Sequence, residues 1–167
     1  MGEYISPFYL GVDPGFTGAV AVYCPHANLL NVQDMPVTKD AKGRIMIDNI
    51  KLYEMLRPTG KVFATVEHVG AMPKQGVSSV WRFAEGYGAL KMAILAHRIP
   101  MELVRPNIWK KHFGLSKDKG ASRGLICQKF PDMAEQFARV KDDGRAEAAL
   151  IAIYGSEIRE QKLLGRA

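Results

Sequence analysis

The sequence predicts an α/β fold: a mixed sheet, made of an antiparallel meander of three strands plus parallel strands, with helices on both faces. Three β-rich runs follow one another from Phe8, separated only by Gly, Pro and Asn punctuation. A near-continuous apolar run with β-branched residues, KVFATVE at 61–67, suits a strand buried on both faces. Beyond it, a short strand pattern alternates with helical patterns, the signature of helices layered on a sheet. At 167 residues the chain is read as one domain, 1–167, against a prior of about 150 residues per domain.

The meander is FYLGVD at 8–13, AVAVYC at 19–24 and LLNVQDM at 29–35, with turns at PGFTG and at 25–28. The charged stretch 39–44 reads as a loop. Asp48 is placed to cap a helix through Leu56, closed by Pro58 and Gly60. After the 61–67 strand, 70–76 reads as a loop, and Ser78 or Ser79 is placed to cap a long helix to about His97, with Trp81, Ala84, Leu90, Ala93 and Ile94 on its apolar face. MELV at 101–104 is a short strand. Pro106 opens a helix through Phe113, where its missing N–H costs nothing. Residues 121–138 form one or two helices broken at Pro131, and 145–162 a final helix with Ala148, Ile151, Ala152 and Ile158 inward. Trp81 and Trp109, at helical spacing, read as core.

Composition narrows the class. The chain is 47% hydrophobic and 24% charged, ordinary for a water-soluble protein, and no stretch reaches the roughly 18–20 apolar residues that span a bilayer. Cys24 and Cys127 stand far apart in no metal-binding spacing, and the N-terminus has no secretory pattern, so a reducing cytoplasm is expected. The formal charge is +6, and the segment 105–129 alone carries a basic surplus of six, from Arg105, Lys110, Lys111, Lys117, Lys119, Arg123 and Lys129 against Asp118. A concentrated surplus suits a polyanion; a solvated face is the plainer alternative.

Three acidic positions carry the chemistry. Asp13 ends the first strand beside a Gly-rich turn that lets a phosphate backbone approach, a suitable place for a hard cation. Asp-Pro-Gly is also an ordinary turn. Glu67 ends a buried strand, where a carboxylate needs a cation, a donor or solvent; if that strand lies beside the first, the two acids are neighbours. Asp142, Asp143 and Glu147 open the last helix. Asp143 and Glu147, four apart, share one helical face, and like charges there call for solvent or a metal between them. Asp142 and Asp143 also suit the helix dipole.

VDPGFTGAVAVY, VEHV and DDGRAEAALIAIYG together resemble the RuvC-like Holliday junction resolvases of the ribonuclease H-like superfamily, particularly the phage-type members. The resemblance spans about 8–155. It implies phosphodiester hydrolysis at Mg²⁺, with Mn²⁺ substituting and two ions per active site, held by Asp13, Glu67, Asp143 and Glu147. RPNIWKKHFGLSKDKGASRGL is similar to the family's basic region, which makes Lys119 the catalytic lysine and leaves Lys110, Lys111, Lys117, Arg123 and Lys129 to contact DNA phosphates. It further implies branched DNA, especially four-way junctions, as substrate, a homodimer matching the junction's two-fold symmetry, a role in recombination and repair, and a bacterial or phage-infected cytoplasm. The helix at 79–97, with Trp81, Phe83, Tyr87 and Leu90, is the expected dimer face. The sequence departs from the best-known bacterial members in two places. The last two acids are spaced by four rather than three, which makes Asp142 an alternative to Asp143, and Gly70 stands where those members carry an aromatic wedge. A ribonuclease H or flap-type nuclease of the same fold, a non-cleaving junction-binding protein and an actin-like ATPase domain are the competing readings.

Overall fold

The computed structural model describes residues 7–70, 76–115, 118 and 120–165. The three β-rich runs form β1 (Phe8–Asp13), β2 (Ala19–Cys24) and β3 (Leu29–Asp34), an antiparallel meander. The buried run forms β6 (Val62–Glu67), parallel to β1, and β7 (Met101–Val104) lies parallel to β6. The five-stranded order is β3-β2-β1-β6-β7. Register sets Val12 opposite Val66, so the chain positions that follow, Asp13 and Glu67, emerge side by side at the C-terminal ends of two central strands.

Side chains alternate across the strands, and the core divides accordingly. On one face Leu10, Val12, Val20 and Val66 meet Leu52 of α1 (Asn49–Met55) and Leu90 and Ile94 of α2 (Val77–Ala96). On the other, Ala19 and Ala21 meet α5 (Asp143–Leu163), together with Trp109 of α3 (Pro106–His112), Ile126 of α4 (Ala121–Lys129) and Phe137 of the 3-10 segment Pro131–Phe137. Among the described residues no helix is long and apolar enough to cross a membrane.

The stretch read as a loop at 39–44 is one at 40–44, and it joins two short strands that were not expected, β4 (Val37–Lys39) against β5 (Ile45–Ile47); Asp40 closes this hairpin by accepting the Lys42 and Arg44 N–H groups and the Arg44 guanidinium. Two local expectations change. Helix α2 starts at Val77 with Gly76 as its cap, and neither Ser78 nor Ser79 takes that role. Trp81 is 73% exposed, not core, whereas Trp109 is fully buried. On α2, Leu90 belongs to the core, and Phe83 and Tyr87 line a small hollow against Phe16 and Met35, so of the four residues expected at a dimer face only Trp81 stands clear of the molecule.

Two glycines set the distance between α5 and the sheet. A Cβ at Gly11 would run into the Ala148 carbonyl and Ala152 amide of α5, and one at Gly144 would strike the Thr17 carbonyl and come within 3.1 Å of Asp13 Oδ2. Glycine at both positions lets the first turns of α5 lie directly on the end of β1.

Candidate active site

That close approach delivers Glu147 to the strand-end acids. One carboxylate oxygen from each of Asp13, Glu67 and Glu147 lies within 4.8 Å of the others. These residues are separated by 54 and 80 positions in the chain and meet only because β1 and β6 are adjacent and α5 crosses their ends. Oxygens at this spacing suit a divalent cation, which binds carboxylates at about 2.0–2.6 Å.

Burial and mutual repulsion act together on these acids. Burial, then the nearby Glu67 and Glu147 charges, push Asp13 up from 3.8 to about 8, against a smaller opposing pull from Lys110. Glu67, 6% exposed, is also raised, by burial first and by Glu147 after it; a hydrogen bond from Trp109 opposes the shift. That bond runs from the indole Nε1 to Glu67 Oε1 at 2.9 Å. Lys110 Nζ reaches Glu147 Oε1 at 2.7 Å and lies 5.0 Å above the Trp109 ring. Among the described residues, one partly exposed ammonium therefore faces three converging carboxylates, and further positive charge would relieve their repulsion.

Asp143 stands apart from this group. Its Oδ1 accepts from Arg123 Nε at 2.6 Å, and Arg123 also donates to the Ala138 carbonyl. Asp142, the alternative, is buried and turned away: its carboxylate accepts from the Arg139 backbone N–H and from both ends of the Arg139 guanidinium, with Arg145 at 3.8 Å. The Arg139 hydrogen bonds hold its carboxyl below the ordinary range. Asp142 braces the turn leading into α5, which explains why an acid occupies that position without joining the cluster. Of the basic residues expected at DNA, Lys110 and Arg123 are engaged with Glu147 and Asp143, while Lys111 and Lys129 are exposed. Lys117 and Lys119 lie outside the described residues. Lys110, Lys111, Asn107, Ser122, Asp143 and Glu147 line a cleft of about 730 Å³ beside the cluster.

The fold has solved counterparts. A Thermus thermophilus RuvC structure matches with a TM-score of 0.58 at 14% identity, over 90% of this chain and 95% of the other. T. thermophilus RuvC in complex with Holliday junction substrate matches with a TM-score of 0.51 at 12% identity, over 89% and 94%. The chain has a RuvC-like fold. No protein-family model matches it, and no curated protein matches it in sequence.

Within this RuvC-like fold two features were not read from the sequence. Trp109 is buried as expected, but it also donates to Glu67. The signal lay in chain order: β7 pairs Val104 with Glu67, and Pro106 starts a helix at once, so the first turn of α3 must land beside that acid. The second is the arginine set around Asp142, for which the Arg139, Asp142, Arg145 spacing of three was the available clue.

Proposed function

We propose that this chain is a metal-dependent, structure-selective endonuclease that resolves four-way and other branched DNA by paired phosphodiester hydrolysis. The convergence of Asp13, Glu67 and Glu147 at the ends of β1 and β6 carries the reading. Three carboxyl oxygen donors, two of them with pKa values raised by burial and mutual repulsion so that a cation would displace a proton on binding, fit a hard divalent ion such as Mg²⁺ or Mn²⁺, and two ions are proposed. When bound, such ions stabilise charge on the attacking and leaving oxygens of an in-line displacement.

The chain's own groups do the rest. Asp13, Glu67 and Glu147 would hold the cations between them, and Asp143 would join them were its carboxylate to leave Arg123. Lys119 offsets charge on the phosphate, a role suited to a compact ammonium. Lys110 and Arg123, now paired with Glu147 and Asp143, would turn to DNA phosphates were those acids engaged by cations, and Lys111, Lys117 and Lys129 would extend the basic track. A second copy supplies the second nick in a homodimer, and the protein works where recombining DNA is found, in a bacterial or phage-infected cytoplasm.

The test compares Asp13→Asn and Glu67→Gln with wild type on junction, flap and RNA–DNA hybrid substrates. The expected result is junction binding retained and cleavage lost in both variants. Cleavage persisting in both would remove these acids from the chemistry; equal cutting of the hybrid would move the substrate to that of a ribonuclease H; binding without any cleavage by wild type would make this a junction-binding protein. In Lys119→Ala, cleavage should slow more than binding weakens, and the reverse would return Lys119 to the general basic face.

A further inference from the structure

A carboxylate at the end of a buried strand must be met by donors, and the kind of donor decides what else it can bind. At Asp142, in the turn before α5, the side-chain donor is the Arg139 guanidinium, which neutralises the charge it holds. At Glu67 the side-chain donor is an indole N–H, which orients an oxygen without supplying a cation. We propose that Trp109 is a positioning residue for the acid cluster, locking the Glu67 carboxylate in the orientation that a divalent cation needs while leaving its charge available. This inference rests on the reading of the cluster as a metal-dependent active site.

The ring is well placed for that duty. It is completely buried among Val104, Ile126, Phe137 and Ala146, so it cannot swing away, and a buried indole N–H needs an acceptor. Its 2.9 Å bond to Oε1 restricts where the second Glu67 oxygen can point. Helix α3 thereby addresses two acids from adjacent residues by different means: Trp109 fixes Glu67 without charge, and Lys110 holds Glu147 with a charge that solvent and phosphate can reach. Outer partners of this kind, which orient the ligand and leave the metal to others, typically govern affinity by 10- to 100-fold.

The decisive substitution removes the N–H alone. Replacing Trp109 with β-(3-benzothienyl)alanine in the full chain keeps the bicyclic shape and deletes the donor; Trp109→Phe serves as a second variant. Mn²⁺ binding is measured by calorimetry, melting temperature is measured in EDTA, and kcat and KM are measured on a four-way junction. The expected result is Mn²⁺ affinity about 10- to 100-fold weaker, a lowered kcat and an unchanged junction KM. A purely structural role would instead lower the EDTA melting temperature and leave Mn²⁺ affinity at the wild-type value, and that outcome overturns the proposal. If wild type itself fails to bind Mn²⁺, the metal-dependent reading falls first and this inference falls with it. The benzothienyl variant keeps the test valid even where Trp109→Phe does not fold.

Discussion

Two groups of acids lie at the same end of this molecule and are answered in opposite ways. Asp142 and Asp34 are each met by arginine: Asp142 by Arg139, and Asp34 by both Nε and Nη2 of Arg145, at 2.5 and 2.6 Å. Both are held below the ordinary carboxylate range, Asp142 by the Arg139 hydrogen bonds and Asp34 by those from Arg145. Glu67 is buried and Asp13 half-buried, the two lie against each other and against Glu147, and both are pushed up. Matched acids stabilise the turn into α5; under-matched acids store repulsion that a cation can relieve. Proximity in sequence does not separate the groups, since Asp142, Asp143 and Glu147 fall within six residues. The identity of the partner does.

The comparison is broken most directly by neutralising one acid from each group. Asp13→Asn should reduce junction cleavage by at least about 10³-fold, because several kcal/mol of transition-state stabilisation depend on a metal centre, while leaving the EDTA melting temperature equal or raised. Asp142→Asn should leave cleavage near wild type and destabilise the fold by about 2 kcal/mol, the scale of hydrogen bonds to a charged group. Parallel thermal melts and cleavage assays read both.

Next in size is Gly144→Ala. Its methyl group would press on the Thr17 carbonyl and Asp13 Oδ2, pushing α5 off the strand end. A shift near 1 Å would lower cleavage by about 10²-fold, measured against an EDTA melt to separate displacement from unfolding.

The two groups should also titrate in opposite directions. Asp13 is protonated when folded up to about pH 8 but only to about 3.8 when unfolded, so folding takes up a proton between those values. Its share of stability in EDTA is therefore full at low pH and is lost as pH rises toward 8. Asp142 and Asp34, with lowered values, contribute stability above the ordinary carboxylate pKa and lose it as pH falls below it. Melts from pH 3 to 9 in EDTA should show both losses, and excess Mg²⁺ should remove only the alkaline one.

The smallest effect is expected at Arg145→Ala. Asp34 is mostly exposed, so the pair contributes less than about 1 kcal/mol, and cleavage should not change measurably.

Most of the fold was legible because periodicity reports burial: the meander, the doubly buried β6 and the apolar face of α5 were all visible as patterns. The β4–β5 hairpin was hidden because its strands are three residues each and its charged tip dominates the stretch. Trp81 was misplaced because helical spacing says which residues share a face and not whether another element covers it. At the site, Asp13, Glu67 and Glu147 were legible as strand-end and helix-start acids. What separates Asp142 and Asp143 from them was not, because Arg139 and Arg123 act through space and their direction is fixed only by the short 3-10 turn Val140–Asp142, which Arg139 caps, and by α4.

The shared centre is tested most directly by a crystal structure of the protein soaked in Mn²⁺, with the ions located by anomalous scattering. Density should appear among the carboxylate oxygens of Asp13, Glu67 and Glu147, at ligand distances of about 2.0–2.3 Å. Ions bound elsewhere, or a cluster that stays empty in saturating Mn²⁺ while Lys110 keeps its place on Glu147, would contradict it.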